Sequence, residues 1–212
     1  MCDLIKKDTA EAPVTQQADR IVNISNLKEL HNTTNKFYVT PANTLPGMPG
    51  YTPTEISYSH DYYNLIVYGE DPGIFTQQGH ITLDKERCLV EEVFISLDLK
   101  NKFSSLTQEN IKELKSFPCI LASENQRSGC TAENHYAAVG QLLDVKIRSN
   151  GIELYYRPIF VVSQEKINKL LPQLGIRGNY KKHNELNRSH WTVKKIDLIE
   201  VLDDAGLNPF SR

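Results

Sequence analysis

Residues 142–159 read LLDVKIRSNGIELYYRPI, and the fold turns on them. Asn150-Gly151 is a strong two-residue hairpin signal, because a type I′ turn needs positive φ at both central residues and these two types tolerate it best. A turn there sets Arg148 opposite Glu153, Ile147 opposite Leu154, Val145 opposite Tyr156 and Asp144 opposite Arg157. One face then carries Val145, Ile147, Leu154 and Tyr156. The other carries two pairs of opposite charge, Arg148–Glu153 and Asp144–Arg157, each contributing about 0.2–1 kcal/mol. A one-residue slip would bury the charges, so the pattern resists it.

Working outward, the middle of the chain is rich in strands. DYYNLIVYG (61–69) is aromatic and β-branched and closes on Gly69. FYVT (37–40), ITLD (81–84) and EEVFISLDL (91–99) also read as strands, the last with Val93, Ile95, Leu97 and Leu99 alternating with Phe94, Ser96 and Asp98. FPCILASE (117–124) is an apolar strand after a helix, TQENIKELK, that Thr107 caps and Pro118 stops. Ser163 is expected to cap a second helix over SQEKINKLLPQL, ended by Pro172 and Gly175. DLIEVLDDAG (197–206) pairs an Asp197 cap with Glu200 and places Gly206 past the helix end.

Together these elements predict an α+β fold, a mainly antiparallel sheet that curls into a barrel or half-barrel around 117–162, with a few short helices. Residues 1–18 are polar and aperiodic and read as a flexible arm. RIVNISNLKELHN (20–32) reads as a short strand and then a short helix, and the proline-rich stretch 41–55 as a long loop. Residues 19–212 form one α+β domain on this reading, with 101–106 as the place where it would divide.

The 212 residues are 40% hydrophobic and 24% charged, with a formal charge of -2, values that exclude collagen-like, coiled-coil and wholly disordered chains. The N-terminus has no apolar core of a secretory signal, and no run approaches a membrane span. The four cysteines, Cys2, Cys88, Cys119 and Cys130, show no C-x-x-C spacing. The expectation is therefore a cytoplasmic protein with reduced thiols, no membrane, no metal and no cofactor.

Charge is distributed unevenly. Segment 177–195, RGNYKKHNELNRSHWTVKK, holds Arg177, Lys181, Lys182, Arg188, Lys194 and Lys195 against Glu185 alone, a local +5 in a chain whose total is -2. Tyr180, His183, His190 and Trp191 interleave with these cations. Cations beside aromatic planes suit phosphate plus base, which makes Lys181, Lys182, Arg188 and His190 candidate ligand-binding residues. A solvated loop anchored to the core by its tryptophan explains the same pattern. Trp191 fits the anchor role, because WTVKKI alternates apolar and polar residues.

Chemistry is less legible. No glycine-rich phosphate loop is present, and no H-E-x-x-H pair. A thiolate needs a nearby base, so Cys119 or Cys130 beside His135 or His190 would make a nucleophile. Cys119, within FPCIL, fits a buried core thiol better, and Cys130, in the polar RSGCTAENH, is the better reactive candidate. Glu124 and Glu133 near His135 offer acid–base or metal chemistry if they converge. Cys119, Cys130 and His135 as a zinc set would follow no standard spacing. The catalytic candidates are thus His135, His190, Glu124 and Cys130.

ELNRSHWTVKKIDLIEVLDDAG (185–206), with SFPCILASE (116–124) and YAAVGQLLDVKI (136–147), resembles a C-terminal module of uncharacterised bacterial proteins, some of them associated with antiviral defence. The resemblance covers about 116–206, singles out Asn187, Arg188, His190 and Trp191, and implies an accessory or sensing role in defence. Three readings follow. The first is a non-enzymatic binding module that recognises a protein, nucleotide or nucleic-acid partner through 177–195. The second is an enzyme on a nucleotide or nucleic-acid substrate, with His190 or His135 as base and Arg188 or Lys182 steadying phosphate. The third is a scaffold whose strands and tyrosines form an oligomer interface.

Overall fold

Two adjacent central strands, Tyr63–Val67 and Pro118–Ala122, are buried at every position, because the sheet that holds them is covered on both faces. The computed structural model describes residues 36–39, 54–69, 74–91, 94–126, 130–131, 135–179 and 183–207, with backbone alone for 36–39, 54–57 and 179. The expected arm over 1–18, the strand and helix over 20–32 and most of the 41–55 loop lie outside these residues. In chain order the elements are β1 (Lys36–Val39), β2 (Thr54–Ser57), β3 (Tyr63–Val67), β4 (Gly79–Leu83), α1 (Leu97–Phe103), α2 (Gln108–Leu114), β5 (Pro118–Ala122), β6 (Tyr136–Arg148) and β7 (Gly151–Ser163). Then come α3 (Gln164–Asn168), β8 (Gly178–Asn179), β9 (His183–Asn184), β10 (His190–Lys194) and α4 (Leu198–Asp204).

The fold is α+β, with one curled, half-barrel sheet of six strands in the order β10-β3-β5-β6-β7-β4. Among the strand pairs of this sheet β3 and β5 run parallel and the others antiparallel; Asn64–Val67 face Cys119–Ala122 in order. β1 with β2, and β8 with β9, form separate two-stranded ribbons. On one face of the large sheet, Ile66, Leu121, Trp191 and Leu154 pack with Leu99, Phe103 and Leu114 from α1 and α2. On the other, Leu65, Ile120 and Val139 pack with Ile167 of α3 and Leu198 and Leu202 of α4. Pro118 opens β5, a position where its missing N–H costs least. No helix among the described residues is long and apolar enough to cross a membrane.

The helix signals at 107–114 and 197–204 match the structure closely. Thr107 Oγ1 accepts from the Asn110 amide, and the Asn110 side chain reciprocates on the Thr107 amide. Asp197 Oδ1 accepts from the amides of Ile199 and Glu200, and Gly206 takes φ +65° past the end of α4. Ser163 sits at the start of α3, but its side chain makes no capping bond.

Two expectations are corrected. Residues 94–99, the described part of the expected strand, are not a strand: a turn at 94–95 leads into α1. The buried apolar residues are Ile95, Leu99 and Phe103, four apart, while Leu97 is 63% exposed. Helical spacing that runs on to Phe103 therefore outweighs the local alternation.

The hairpin forms over 136–163, but with its turn one residue earlier, at Ser149-Asn150. Arg148 faces Gly151, Ile147 faces Ile152, Lys146 faces Glu153 and Val145 faces Leu154. Neither Ser149 nor Asn150 takes a positive φ, so the turn is not type I′. Gly151 belongs instead to the sheet. A Cβ there would lie 2.5 Å from the carbonyl oxygen of Leu83, at φ +154°, so glycine is needed where β4 comes closest. Moving the turn by one shifts each partner by two, which preserves the faces. Val145, Leu154 and Tyr156 remain buried, whereas Ile147 at the projecting tip is 54% exposed. Arg148 still reaches Glu153, now diagonally, with Nε 3.1 Å from Oε2. Asp144 faces Tyr155 and lies 3.9 Å from Lys115, while Arg157 donates to Gln141, so the expected Asp144–Arg157 pair does not form. Irregularities between Val139 and Gly140 and between Leu142 and Asp144 bend the long hairpin.

Candidate anion-binding cleft

The basic segment folds into β8, β9, a 3-10 turn at Glu185–Asn187 and β10. Asn184 and Asn187 organise the turn: Asn184 Oδ1 accepts from the Leu186 amide, and Asn187 Oδ1 accepts from the Asn184 amide. Asn187 also donates to the carbonyl of Asn125. Asn125 in turn bonds Gln164 and Asn168, so these polar side chains tie the end of β5 to α3 and the turn. The turn points Glu185 inward, where it is fully buried.

Alternation along β10 then sorts the side chains. Trp191 and Val193 enter the core beside α1 and α2. His190, Thr192 and Lys194 share the opposite side, where Phe94 meets all three. The Phe94 carbonyl accepts from Thr192 Oγ1 and from Lys194 Nζ, and its ring lies 4.6 Å from the His190 ring.

Glu185 is the anion of this buried group. Its Oε1 accepts from Lys194 Nζ at 2.7 Å and from the Arg177 amide at 2.7 Å, and its Oε2 lies 2.6 Å from Lys194 Nζ. Burial pushes the Glu185 carboxyl up and the Lys194 ammonium down, and in each case the partner's charge opposes the shift. His190, 1% exposed, places Nδ1 2.8 Å from the Arg188 carbonyl. A carbonyl only accepts, so Nδ1 carries the proton and Nε2 presents a lone pair. Nε2 lies 3.9 Å from Glu185 Oε2 and has no hydrogen-bond partner among the described residues. Burial holds the His190 pKa down to about 4, against the Arg188 carbonyl bond that favours the charged ring. His190 is therefore a neutral, enclosed imidazole at neutral pH.

The expected site residues separate. Lys181 and Lys182 lie outside the described residues, as does Glu133. Arg188 is exposed and forms an ion pair with Glu91 at 3.0 Å. Glu124 Oε1 accepts from both the amide and the hydroxyl of Ser189, and the Glu124 amide donates to Gly69, so the carboxylate staples the ends of β3, β5 and β10 together. His135 is buried and its carbonyl accepts from the Gln164 amide. Cys130 is half-buried. Cys119 is fully buried in β5, as its apolar setting predicts, and burial pushes its thiol up to about 12. Among the described residues no three His, Cys, Asp or Glu side chains stand close enough to hold a metal, which rules out the set Cys119, Cys130 and His135.

What the segment does create is a cleft of about 540 Å³ between the end of β10, the start of α1 and residues 172–178. Arg177 and Lys195 stand on its walls, both exposed. Neither side chain makes a hydrogen bond or ion pair among the described residues. Among the described residues no carboxylate lines the cleft. Lys195 does act on nearby Asp98, whose carboxyl is held low chiefly by the Ser96 hydroxyl and only lastly by Lys195. The Lys194 ammonium is committed to Glu185 and Phe94, so this residue lends the cleft its methylene stem. Arg177 and Lys195 were visible in the sequence as members of the basic run. Nothing there separated them from Lys194, whose burial depends on the inward turn of Glu185. Comparison with protein-family models, with curated proteins and with solved structures finds no match to this chain.

Proposed function

We propose that the protein is a binding module that takes an anionic ligand in the cleft flanked by Arg177 and Lys195. One observation carries this reading: among the described residues, two exposed cations with no hydrogen-bond or ion-pair partner face a cleft of about 540 Å³ that no carboxylate lines. Small-molecule sites occupy roughly 300–1,000 Å³ and use a few placed polar groups on apolar walls. Binding rather than catalysis is favoured by how His190 and Glu124 are used. His190 turns its free nitrogen toward a buried carboxylate, and Glu124 is occupied by Ser189.

Calorimetric titration with inorganic tripolyphosphate tests the proposal. The wild-type protein is expected to bind it, more weakly as salt rises. Arg177→Gln with Lys195→Gln is expected to weaken binding by about tenfold or more, a loss of about 1.4 kcal/mol, with circular dichroism that matches wild type. Equal affinity in the two proteins, or no binding by the wild type, would overturn it.

A further inference from the structure

The cleft has a second character besides charge. Phe94, Pro172 and Ile196 contribute apolar surface to it, and the Lys194 stem adds to this because its ammonium is turned away to Glu185. Arg177 follows Ile176 on one wall and Lys195 precedes Ile196 on the other, so each cation has an apolar neighbour in sequence. Ser96 supplies a hydroxyl at the start of α1. A bare inorganic anion would use the two cations and leave the apolar walls unsatisfied. A polynucleotide strand needs cations that continue along a groove, with several stacking platforms. Among the described residues, two exposed cations and one aromatic residue line this single cleft.

We infer that the ligand is a mononucleotide carrying two or more phosphates. Its phosphates lie between the Arg177 guanidinium and the Lys195 ammonium, and its base rests against Phe94 and the apolar walls. Arg177 offers a planar fork suited to phosphate oxygens and Lys195 a point charge, a combination that tolerates several phosphate geometries. The volume of about 540 Å³ accommodates a mononucleotide and no more than a fraction of a strand. This inference rests on the anionic-ligand reading and adds the apolar half of the ligand.

The test compares adenosine diphosphate, inorganic pyrophosphate and a short oligothymidylate on the full chain, by calorimetry. The diphosphate nucleotide is expected to bind about tenfold or more tightly than pyrophosphate, because stacking adds to the phosphate contacts. Phe94→Ala is expected to bring the ratio of nucleotide to pyrophosphate affinity down from about tenfold toward one, in a variant whose circular dichroism matches wild type. The backbone carbonyl that holds Lys194 survives this substitution. Equal affinity for nucleotide and pyrophosphate would overturn the nucleotide inference and leave the anionic reading standing. Binding of neither would overturn both. An oligothymidylate bound more tightly than the nucleotide, with a steep salt dependence, would replace the mononucleotide by a strand.

Discussion

The indole Nε1 of Trp191 donates to Asn64 Oδ1 at 3.0 Å, and Asn64 Nδ2 donates onward to the Leu114 carbonyl at 2.8 Å. One buried amide therefore joins β10, β3 and the end of α2. Trp191 is 1% exposed and packs in the main core, so it is an anchor and the ligand surface lies beyond it. Trp191→Ala is expected to lose about 3–5 kcal/mol of stability in urea unfolding. Asn64→Ala is expected to lose about 1–3 kcal/mol, because it strands a buried donor and a buried acceptor. A tryptophan variant that keeps wild-type stability would show the ring to be a surface platform.

The shifted hairpin turn makes a paired prediction. Gly151→Val is expected to destabilise by about 1–3 kcal/mol or more, because the added Cβ meets the Leu83 carbonyl. Asn150→Ala is expected to stay within about 0.5 kcal/mol of wild type, because Asn150 does not take a positive φ. A type I′ turn at Asn150-Gly151 would instead make both changes costly, so thermal or urea melts of the two variants separate the registers.

Much of the architecture was legible in the sequence because it is written locally. The Thr107 and Asp197 caps, the alternating hairpin and the uninterrupted apolar run at Pro118–Ala122 each depend on neighbours a few residues away. The misread parts depend on distant partners. The turn position follows from β4 claiming Gly151, and α1 follows from the core receiving Ile95, Leu99 and Phe103. The cleft was half legible. The basic run marked the right segment. That Lys194 and His190 turn inward, and Arg177 and Lys195 do not, is set by burial of Glu185, which local spacing does not encode.

The Glu185–Lys194 pair is expected to behave as a unit. Glu185→Gln keeps an acceptor for the Arg177 amide but leaves the Lys194 ammonium buried without its counter-charge, at a cost of about 3–5 kcal/mol. Glu185→Leu combined with Lys194→Met is expected to cost less than Glu185→Leu alone. A double-mutant cycle in urea checks this, and additive losses would show that the two charges do not depend on each other.

His190 links stability to acid. Its folded pKa of about 4 lies below the ordinary value of 6.5, so the unfolded chain binds the extra proton between those values. Its contribution is therefore fully present above about 6.5 and lost as pH falls toward 4, by at most about 3 kcal/mol. Glu185, Lys194, Arg188 and Arg87 surround the ring, and the raised Glu185 carboxyl works in the opposite sense. The informative quantity is the difference between wild type and His190→Gln. The variant is expected to lose less stability than wild type between neutral pH and pH about 4.5 in urea unfolding. Parallel pH profiles would show that His190 does not titrate with unfolding.

Thiol chemistry should follow burial. Cys88 and Cys119 are buried and both thiols are pushed up to about 12, so neither supplies a thiolate at neutral pH. Mass spectrometry after brief maleimide treatment is expected to find both unlabelled in the native protein and labelled in urea. Rapid native labelling of Cys119 would place β5 nearer the surface than its packing implies.

The most direct measurement of the central claim is a backbone amide NMR titration of the wild-type protein with inorganic pyrophosphate. The account predicts saturable shifts at Ser96, Arg177, Gly178, Lys195 and Ile196 around the cleft, and none at the hairpin tip near Ser149 and Asn150. Shifts confined to other surfaces, or an unchanged spectrum at saturating pyrophosphate, would contradict it.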